Sequence, residues 1–414
     1  MHLLYLTSAF PLPNYGNNMR TWSMLEALAA EGHGVTLLTF GQPGEFDAHA
    51  GALRQVCQNV EVIPLVLDGP SSTRNYLKLF LGLFCAQAST ARRYASPEMR
   101  ARIQDQMARN SYHAVLCDGL YTAFNLPTTR LPVLLYSHNV EHLIFQRYVA
   151  LERNPLKRFY AWSEMRKLEK WEQEVCQRAA MVLACSEDDQ RMLRSLCPGV
   201  RVMVVPNVVD LERYEPRYDT ASHSIIFQGV MDWFPNRDAV EFFVTQIFPL
   251  LRREVPDARF IAAGRNPSSE MLARFSGLPG VKFTGTVPDI RPYMEQSAIC
   301  AVPLRIGSGT RLKILEAAAA GKAIVSTRLG AEGLHFEDGI EIVLVDDPQG
   351  FADALKSLLL NPTKRASLGR AARRRVEQDY GYANLRECVR EALGQFDPRA
   401  IPSTVTAGQN TVRN

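Results

Sequence analysis

The chain has 414 residues, a hydrophobic fraction of 46% and a net charge of +4. That length exceeds one ordinary domain and predicts two, each with enough apolar residues for its own core. The near-balanced charge, with basic residues spread along the chain, argues against nucleic acid as a partner. The start Met1-His-Leu-Leu-Tyr-Leu-Thr lacks the basic and apolar segments of a secretory signal. Cys57, Cys85, Cys117, Cys176, Cys185, Cys197, Cys300 and Cys388 are scattered, with no Cys-x-x-Cys pair, so they read as reduced residues of a cytoplasmic protein and not as disulfides or zinc ligands.

In chain order, β-rich runs fall at residues 3–7, 35–40, 60–66, 114–117, 133–137, 181–186 and 202–206, then at 224–228, 259–263, 281–284, 299–304, 323–326 and 341–345. Most are apolar nearly throughout, as strands covered on both faces of a parallel sheet must be. Helical patterns lie between them, among them 19–31, 239–254 and 350–359. This alternation predicts an α/β protein of two doubly wound Rossmann-like parallel-sheet domains facing across a cleft. The break falls at residues 206–210, where a strand ends before the polar stretch 212–222. Ligands of such sheets sit at the carboxyl ends of the strands. The first βα turn, residues 11–20, is long, rich in turn residues and predicted to face that cleft. The tail 397–414 is polar, carries no acid after Asp397 and is expected to be disordered.

The most telling stretch is Arg305-Ile-Gly-Ser-Gly-Thr-Arg-Leu-Lys-Ile-Leu-Glu-Ala-Ala-Ala-Ala-Gly321, followed by the short strand 323–326. Gly307 and Gly309 bracket Ser308 and let backbone approach a ligand closely, while unpaired N–H groups at a helix start point at an anion. Thr310, Arg311 and Lys313 open the helix. Glu316 lies past its first turn, where a carboxylate can accept hydrogen bonds from sugar hydroxyls. The combination suits a nucleoside diphosphate with its ribose. A plain glycine loop before a core helix explains the same spacing. A second polar cluster, His138-Asn139-Val140-Glu141, ends the buried strand 133–137; His138 there is read as functional, and His33, before the strand 35–40, as structural. Asp188-Asp189 and Asp346-Asp347 are read as helix entries, where acids suit the dipole, and no metal-ligand cluster is evident.

These pieces resemble the retaining glycosyltransferases of family 4, which have the GT-B fold, over roughly residues 1–396. The resemblance rests on the opening strand and its loop ending at Gly16-Asn17, on Ala29-Ala-Glu-Gly-His33-Gly-Val-Thr-Leu-Leu, on Val205-Pro-Asn-Val-Val-Asp210, on Val281-Lys-Phe-Thr-Gly-Thr-Val-Pro-Asp289 and on residues 307–327. It implies an acceptor-side domain at 1–206, a donor-binding domain at 207–380 and a helix at 381–396 that packs back toward the first domain. It implies a nucleotide-diphosphate sugar as co-substrate, no cofactor and no metal, a hydroxyl acceptor on a saccharide or a lipid-linked molecule, and retention of configuration. By position, Glu316 matches the glutamate that holds the donor ribose, and Ser308 stands where the family carries another glutamate facing the transferred sugar. Val287 lies in the loop that contacts the base, and His138 stands at an active-site position near the acceptor, with Glu141 beside it. In the loop Gly229-Val230-Met-Asp-Trp-Phe-Pro-Asn236-Arg237, Val230 occupies a position usually held by Arg, and Arg237 is the candidate for the usual Lys. Arg311 and Lys313 are then expected to supply the missing charge, and Gly16 and Asn17 to approach the donor from the other domain.

Basic and aromatic residues mix between 145 and 170, and the apolar run 76–86 is too short to span a bilayer. That composition suits peripheral contact with an anionic membrane surface at the cytoplasmic face, or a solvated helix with a buried aromatic side. Two further readings share the fold: a sugar-nucleotide epimerase, which would need a pair of acid/base carboxylates in the cleft, with Glu141 and Glu316 the candidates, and a partner subunit without catalysis. A dinucleotide-dependent oxidoreductase is disfavoured, because no Gly-x-Gly-x-x-Gly follows the first strand and no acid ends the second.

Overall fold

A computed structural model describes residues 1–12, 16–42, 44–65, 82–83 and 85–396. Its first unit alternates β1 (His2–Thr7), α1 (Gly16–Ala30), β2 (Gly34–Gly41), α2 (Glu45–Val56) and β3 (Asn59–Pro64). Then follow α3 (Ser89–Arg92), α4 (Pro97–Arg109), β4 (Ala114–Asp118), β5 (Val133–Tyr136), α5 (Glu141–Leu151), α6 (Pro155–Arg178), β6 (Met181–Ala184), α7 (Glu187–Leu196) and β7 (Val202–Val204). The seven strands form one sheet in the order β3-β2-β1-β4-β5-β6-β7, with every pairing parallel.

Both faces of this sheet are covered at its centre, which is why β1, β4, β5 and β6 are apolar nearly throughout, while the edge strand β3 is partly exposed. Leu3 and Tyr5 join a core with Met24, Leu28 and Leu53 on one side. Leu4 and Leu6 join a separate core with Met99, Ile103 and Cys176 on the other. Cys57, Cys117, Cys176, Cys185, Cys197 and Cys300 are all buried thiols.

The second unit begins with β8 (Ser224–Gln228), α8 (Phe234–Phe242), α9 (Phe248–Glu254), β9 (Arg259–Ala263), α10 (Ser269–Phe275), β10 (Val281–Phe283) and α11 (Arg291–Gln296). It continues with β11 (Ile299–Val302), α12 (Leu312–Ala319), β12 (Ala323–Ser326), β13 (Val343–Leu344), α13 (Pro348–Leu360), α14 (Pro362–Asp379) and α15 (Tyr382–Gly394). Its six-stranded sheet has the order β10-β9-β8-β11-β12-β13, also parallel. In both sheets the strand order reverses beside the first strand of the unit, at β1/β4 and at β8/β11, and the crevice of a doubly wound sheet opens at that point.

Two elements depart from the sequence expectation. The single helix expected at 239–254 is broken into α8, a π turn at Phe243–Ile247 and α9. Pro249 in the first turn of α9 has no N–H and its ring crowds the carbonyl four residues back, so the ladder widens there. The strand expected at 341–345 pairs only over Val343–Leu344. The tail at 397–414 and most of the apolar run at 76–86 lie outside the described residues. No helix among the described residues is long and apolar enough to cross a membrane.

Chain ends and linker tie the units together. Val205, Val208 and Val209 are buried, and the Val209 N–H donates to the Tyr380 carbonyl at 2.9 Å. Helix α15 lies against α1, its Leu385, Val389 and Leu393 completing the first unit's core. Glu31 after α1 accepts from Arg386 at 2.8 Å and Arg390 at 3.0 Å.

Candidate active site

The second unit builds a polar pocket from three loop–helix junctions. Arg311 is the N-cap of α12, with extended backbone (φ −99°, ψ 99°) and no side-chain cap bond. Its guanidinium instead folds back to donate to the carbonyls of Ser308 and Gly309. The side chain is buried, which lowers its pKa to about 10, and its second terminal nitrogen has no hydrogen-bond partner. Arg311 was expected to supply charge for the diphosphate; its guanidinium instead clamps the glycine loop.

Lys313, two residues on, extends toward the loop after β8. Its Nζ donates to Asn236 Oδ1 at 2.8 Å and sits 4.1 Å from the centre of the Phe227 ring. Asn236 in turn donates to the Val230 carbonyl at 2.9 Å, so the Gly229-to-Asn236 loop is pinned over Lys313. Three residues later, on the same face of α12, Glu316 accepts from Tyr214 Oη at 3.1 Å and Gln228 Nε2 at 2.5 Å. Burial pushes Lys313 down to about 7, with Arg311 adding repulsion. Burial pushes Glu316 up to about 7, against the bonds from Tyr214 and Gln228. An ammonium and a carboxylate are therefore both poised to change charge in the neutral range, a state that incoming phosphate or hydroxyl groups can tip.

The first unit contributes the ends of β1, β4 and β5. Asp118 closes β4 and is 1% exposed. It accepts from Tyr5 Oη at 3.0 Å and Thr21 Oγ1 at 2.5 Å, and pairs with Nε2 of His138 just past β5. Burial alone would raise the Asp118 carboxyl; the His138 imidazole and the two hydroxyls outweigh it and hold it below the usual range. His138 keeps a partly open ring, standing edge-on to Tyr136 at 5.2 Å. Arg20 of α1 donates to Asn207 of the linker and, at 3.1 Å, to the His138 carbonyl.

The two halves meet at the glycine loop. The Val140 N–H donates to Ser308 Oγ at 3.0 Å, and Asn207 Nδ2 to Thr310 Oγ1 at 2.5 Å. Gly309, at φ 72°, lies so close to the His138 carbonyl that any Cβ would collide with it. Arg147 of α5 spans the same gap, donating to the Gly307 carbonyl and, from both terminal nitrogens, to Glu332 at 2.7 and 2.6 Å.

Of the residues singled out in the sequence, Ser308, Gly309, Thr310, Arg311 and His138 come together at this seam, and Gly229, Lys313 and Glu316 line the pocket behind it. Glu141 does not join His138. It is buried beneath Tyr121 and Asn139, accepting from them at 2.9 and 3.1 Å, and burial pushes it up to about 7. His138 takes Asp118 as its partner because β4 and β5 are neighbours in register, Asp118 opposite Tyr136. Arg237 is exposed on α8, Val287 is half-buried after β10, and neither bonds to the cluster among the described residues. The backbone of Gly16 and Asn17 opens α1, and the Asn17 side chain lies outside what the structure describes. Asp189 is a helix-entry residue whose N–H is capped by Ser186 at 3.1 Å. No group of His, Cys, Asp and Glu among the described residues is arranged to hold a metal ion.

Asp118, Arg20, Tyr214 and Gln228 were not singled out in the sequence. For two of them a signal existed: Asp118 and Gln228 are the polar ends of otherwise apolar strands, at the carboxyl edge where ligands bind.

Comparison with known proteins gives matches on both units. Residues 16–213 match the model described as Glycosyltransferase Family 4, and residues 222–361 the one described as Glycosyl transferases group 1. A Klebsiella pneumoniae protein, described as an uncharacterized 44.6 kDa protein in the cps region, is 22% identical over 361 residues, covering 84% of this chain and 89% of that one. An Arabidopsis thaliana protein, described as one subunit of phosphatidylinositol N-acetylglucosaminyltransferase, is 26% identical over 193 residues, 44% of this chain and 42% of that protein. Among solved structures, the sucrose-phosphate synthase of Thermosynechococcus elongatus superposes with a TM-score of 0.70 at 19% identity, covering 95% of this chain and 98% of that one. The arrangement of the two units is the GT-B fold of glycosyltransferases.

Proposed function

We propose a reaction for a chain that belongs to the family 4 glycosyltransferases of group 1: transfer of a glycosyl group, a hexosyl in type, from a nucleotide-diphosphate sugar to a hydroxyl, with retention and without a metal ion. The observation that carries this reading is the Lys313–Glu316 pair, set on one face of α12 beneath the loop after β8. Lys313 and the N–H groups of the glycine loop take the diphosphate, and Glu316 takes the ribose hydroxyls, with Tyr214 and Gln228 yielding or sharing their bonds.

As the bond from the anomeric carbon to the diphosphate oxygen breaks, negative charge grows on the leaving group, the acceptor oxygen bonds to the anomeric carbon, and the acceptor's hydroxyl proton passes to the departing phosphate oxygen. Lys313 and the fixed donors meet that charge within a cleft closed at the seam, where water does not dilute their field. His138, held by Asp118, faces the sugar or the acceptor hydroxyl and orients it. The seam contacts are few, and opening about residues 206–210 admits the donor.

The acceptor is a saccharide or lipid-linked hydroxyl, the product belongs to cell-surface polysaccharide or glycolipid assembly, and the protein works at the inner face of the cytoplasmic membrane. The Klebsiella relative from a cps region and the Arabidopsis relative named for phosphatidylinositol support that setting. Calorimetric titration with UDP, GDP, ADP and dTDP tests the donor half. One of them should bind, and Lys313→Met should weaken it ~10- to 100-fold, the worth of a bond to a charged group. Absence of binding by all four would end this reading and leave a non-catalytic partner of the same fold.

A further inference from the structure

The helical hairpin of α5 and α6 carries an apolar tip that nothing in the chain's described residues covers. Leu151 is 42% exposed, Leu156 79%, Phe159 57% and Trp162 47%, on a chain whose other large apolar side chains are mostly buried. Leu156, Phe159 and Trp162 recur every third residue from the start of α6 and so share one side of it. Phe159 and Trp162 stack on each other at 6.0 Å and leave their outer faces open. Arg166 and Lys170 continue the same face toward the body of the protein.

Basic residues outnumber acids at the tip, where Glu152 is the acid beside Arg153, Lys157 and Arg158. Arg153, Lys157 and Arg158 are exposed and have no ion-pair partner among the described residues. Of the neighbouring acids, Glu152 accepts from Tyr148 Oη and the Asn154 N–H, and these bonds, with Lys157 nearby, hold it ionised below the usual carboxylate range; Glu164 is fully buried on the Ser89 N–H, and Glu169 pairs with Arg166. The remaining aromatic residues of the hairpin do not join this face. Phe145 and Tyr148 pack on Phe234 across the cleft, and Trp171 on Phe124. The sequence expectation of one basic-aromatic face over 145–170 thus resolves into a buried set and an exposed tip.

We propose that this tip, with Leu156, Phe159 and Trp162 as the inserted side chains and Arg153, Lys157 and Arg158 as the headgroup contacts, docks the protein on an anionic lipid bilayer. Acidic headgroups over an acyl boundary match both the basic set and the apolar stripe. The hairpin also leads to the cleft: α5 starts at Glu141, just past His138, and its Arg147 closes the seam. Docking at the tip would present the cleft to an acceptor held in the membrane. This inference rests on the reading of a lipid-linked acceptor given above.

The test is co-sedimentation of the full chain with vesicles of phosphatidylcholine alone and of phosphatidylcholine with phosphatidylglycerol. The protein is expected to bind the anionic vesicles, less as salt is raised, and not the neutral ones. Phe159→Ser with Trp162→Ser, and separately Lys157→Glu with Arg158→Glu, should each lower binding ~10-fold or more. Their nucleoside diphosphate affinity should equal that of the unaltered protein, which also shows that the fold is kept. No binding of the unaltered protein to anionic vesicles, or variants that sediment as it does, would overturn the proposal. If vesicles bind and no nucleoside diphosphate does, the docking face stands and the reaction assigned to the cleft fails.

Discussion

The two sides of the cleft are built differently. On the α12 side, the charged groups come from one short segment and are held within their own unit: Lys313 by Asn236, Glu316 by Tyr214 and Gln228. On the other side, Asp118, His138, Tyr5 and Thr21 converge from four separate elements of the first sheet and its helix. The first side is a buried, preformed pair of charged groups, which the proposed reaction uses for the diphosphate and the ribose. The second is a positioning device for a single imidazole. Binding and chemistry can therefore be damaged separately, and the following substitutions are arranged to do so.

The largest expected effect is on the positioning side. Asp118→Asn removes the carboxylate that orients His138 and should lower kcat on the order of 100-fold, while donor KM stays near that of the unaltered enzyme. A fall in donor affinity of the same size would erase the division. On the binding side, Glu316→Gln keeps the shape but loses the carboxylate, and should weaken nucleoside diphosphate binding ~10-fold while leaving a binding equivalent of one site per chain. Gly309→Ala forces a Cβ against the His138 carbonyl at a positive φ. It should cost about 1–3 kcal/mol of stability or of closure, read as a lowered unfolding midpoint or a raised KM for donor and acceptor together.

Proton linkage sharpens the same comparison. Lys313 titrates at about 7 when the pocket is empty, because burial disfavours its charge. A bound diphosphate favours the charged form and raises that value. Affinity is then full below about 7 and declines as pH rises through the pKa of the complex. At pH 8, where Glu316, also titrating at about 7, is mostly ionised already, binding should take up a proton. Calorimetry in two buffers of different ionisation heat measures it, and Lys313→Met should abolish it. The smallest effect is expected of Arg147→Met at the seam. The Arg147–Glu332 pair is about one-fifth exposed on each side, so its loss should cost about 1 kcal/mol or less, seen as a modest rise in donor KM.

The same difference explains what could be read from the sequence. All thirteen strands of the described residues fall on β-rich runs read in the sequence, most of them apolar because central parallel strands are buried on both faces, and Leu3 to Leu6 show it by alternating between two cores. The α12 pocket was legible too, since Ser308, Gly309, Lys313 and Glu316 lie within one stretch and its spacing is the spacing of a loop and a helix turn. The His138 partner was not. Sequence proximity pointed to Glu141, but a residue three positions on enters a helix and turns toward Tyr121, whereas Asp118 reaches His138 through the pairing of β4 with β5. The π turn at Phe243–Ile247 was hidden by a helical pattern that continues through Pro249.

One experiment bears on the division of the cleft most directly: nucleoside diphosphate binding and glycosyl transfer measured together on His138→Ala and on Glu316→Ala. The account predicts that His138→Ala binds the nucleotide as the unaltered protein does and transfers little or no sugar, while Glu316→Ala is impaired in both. Full transfer by His138→Ala, or unchanged nucleotide affinity in Glu316→Ala, would contradict it.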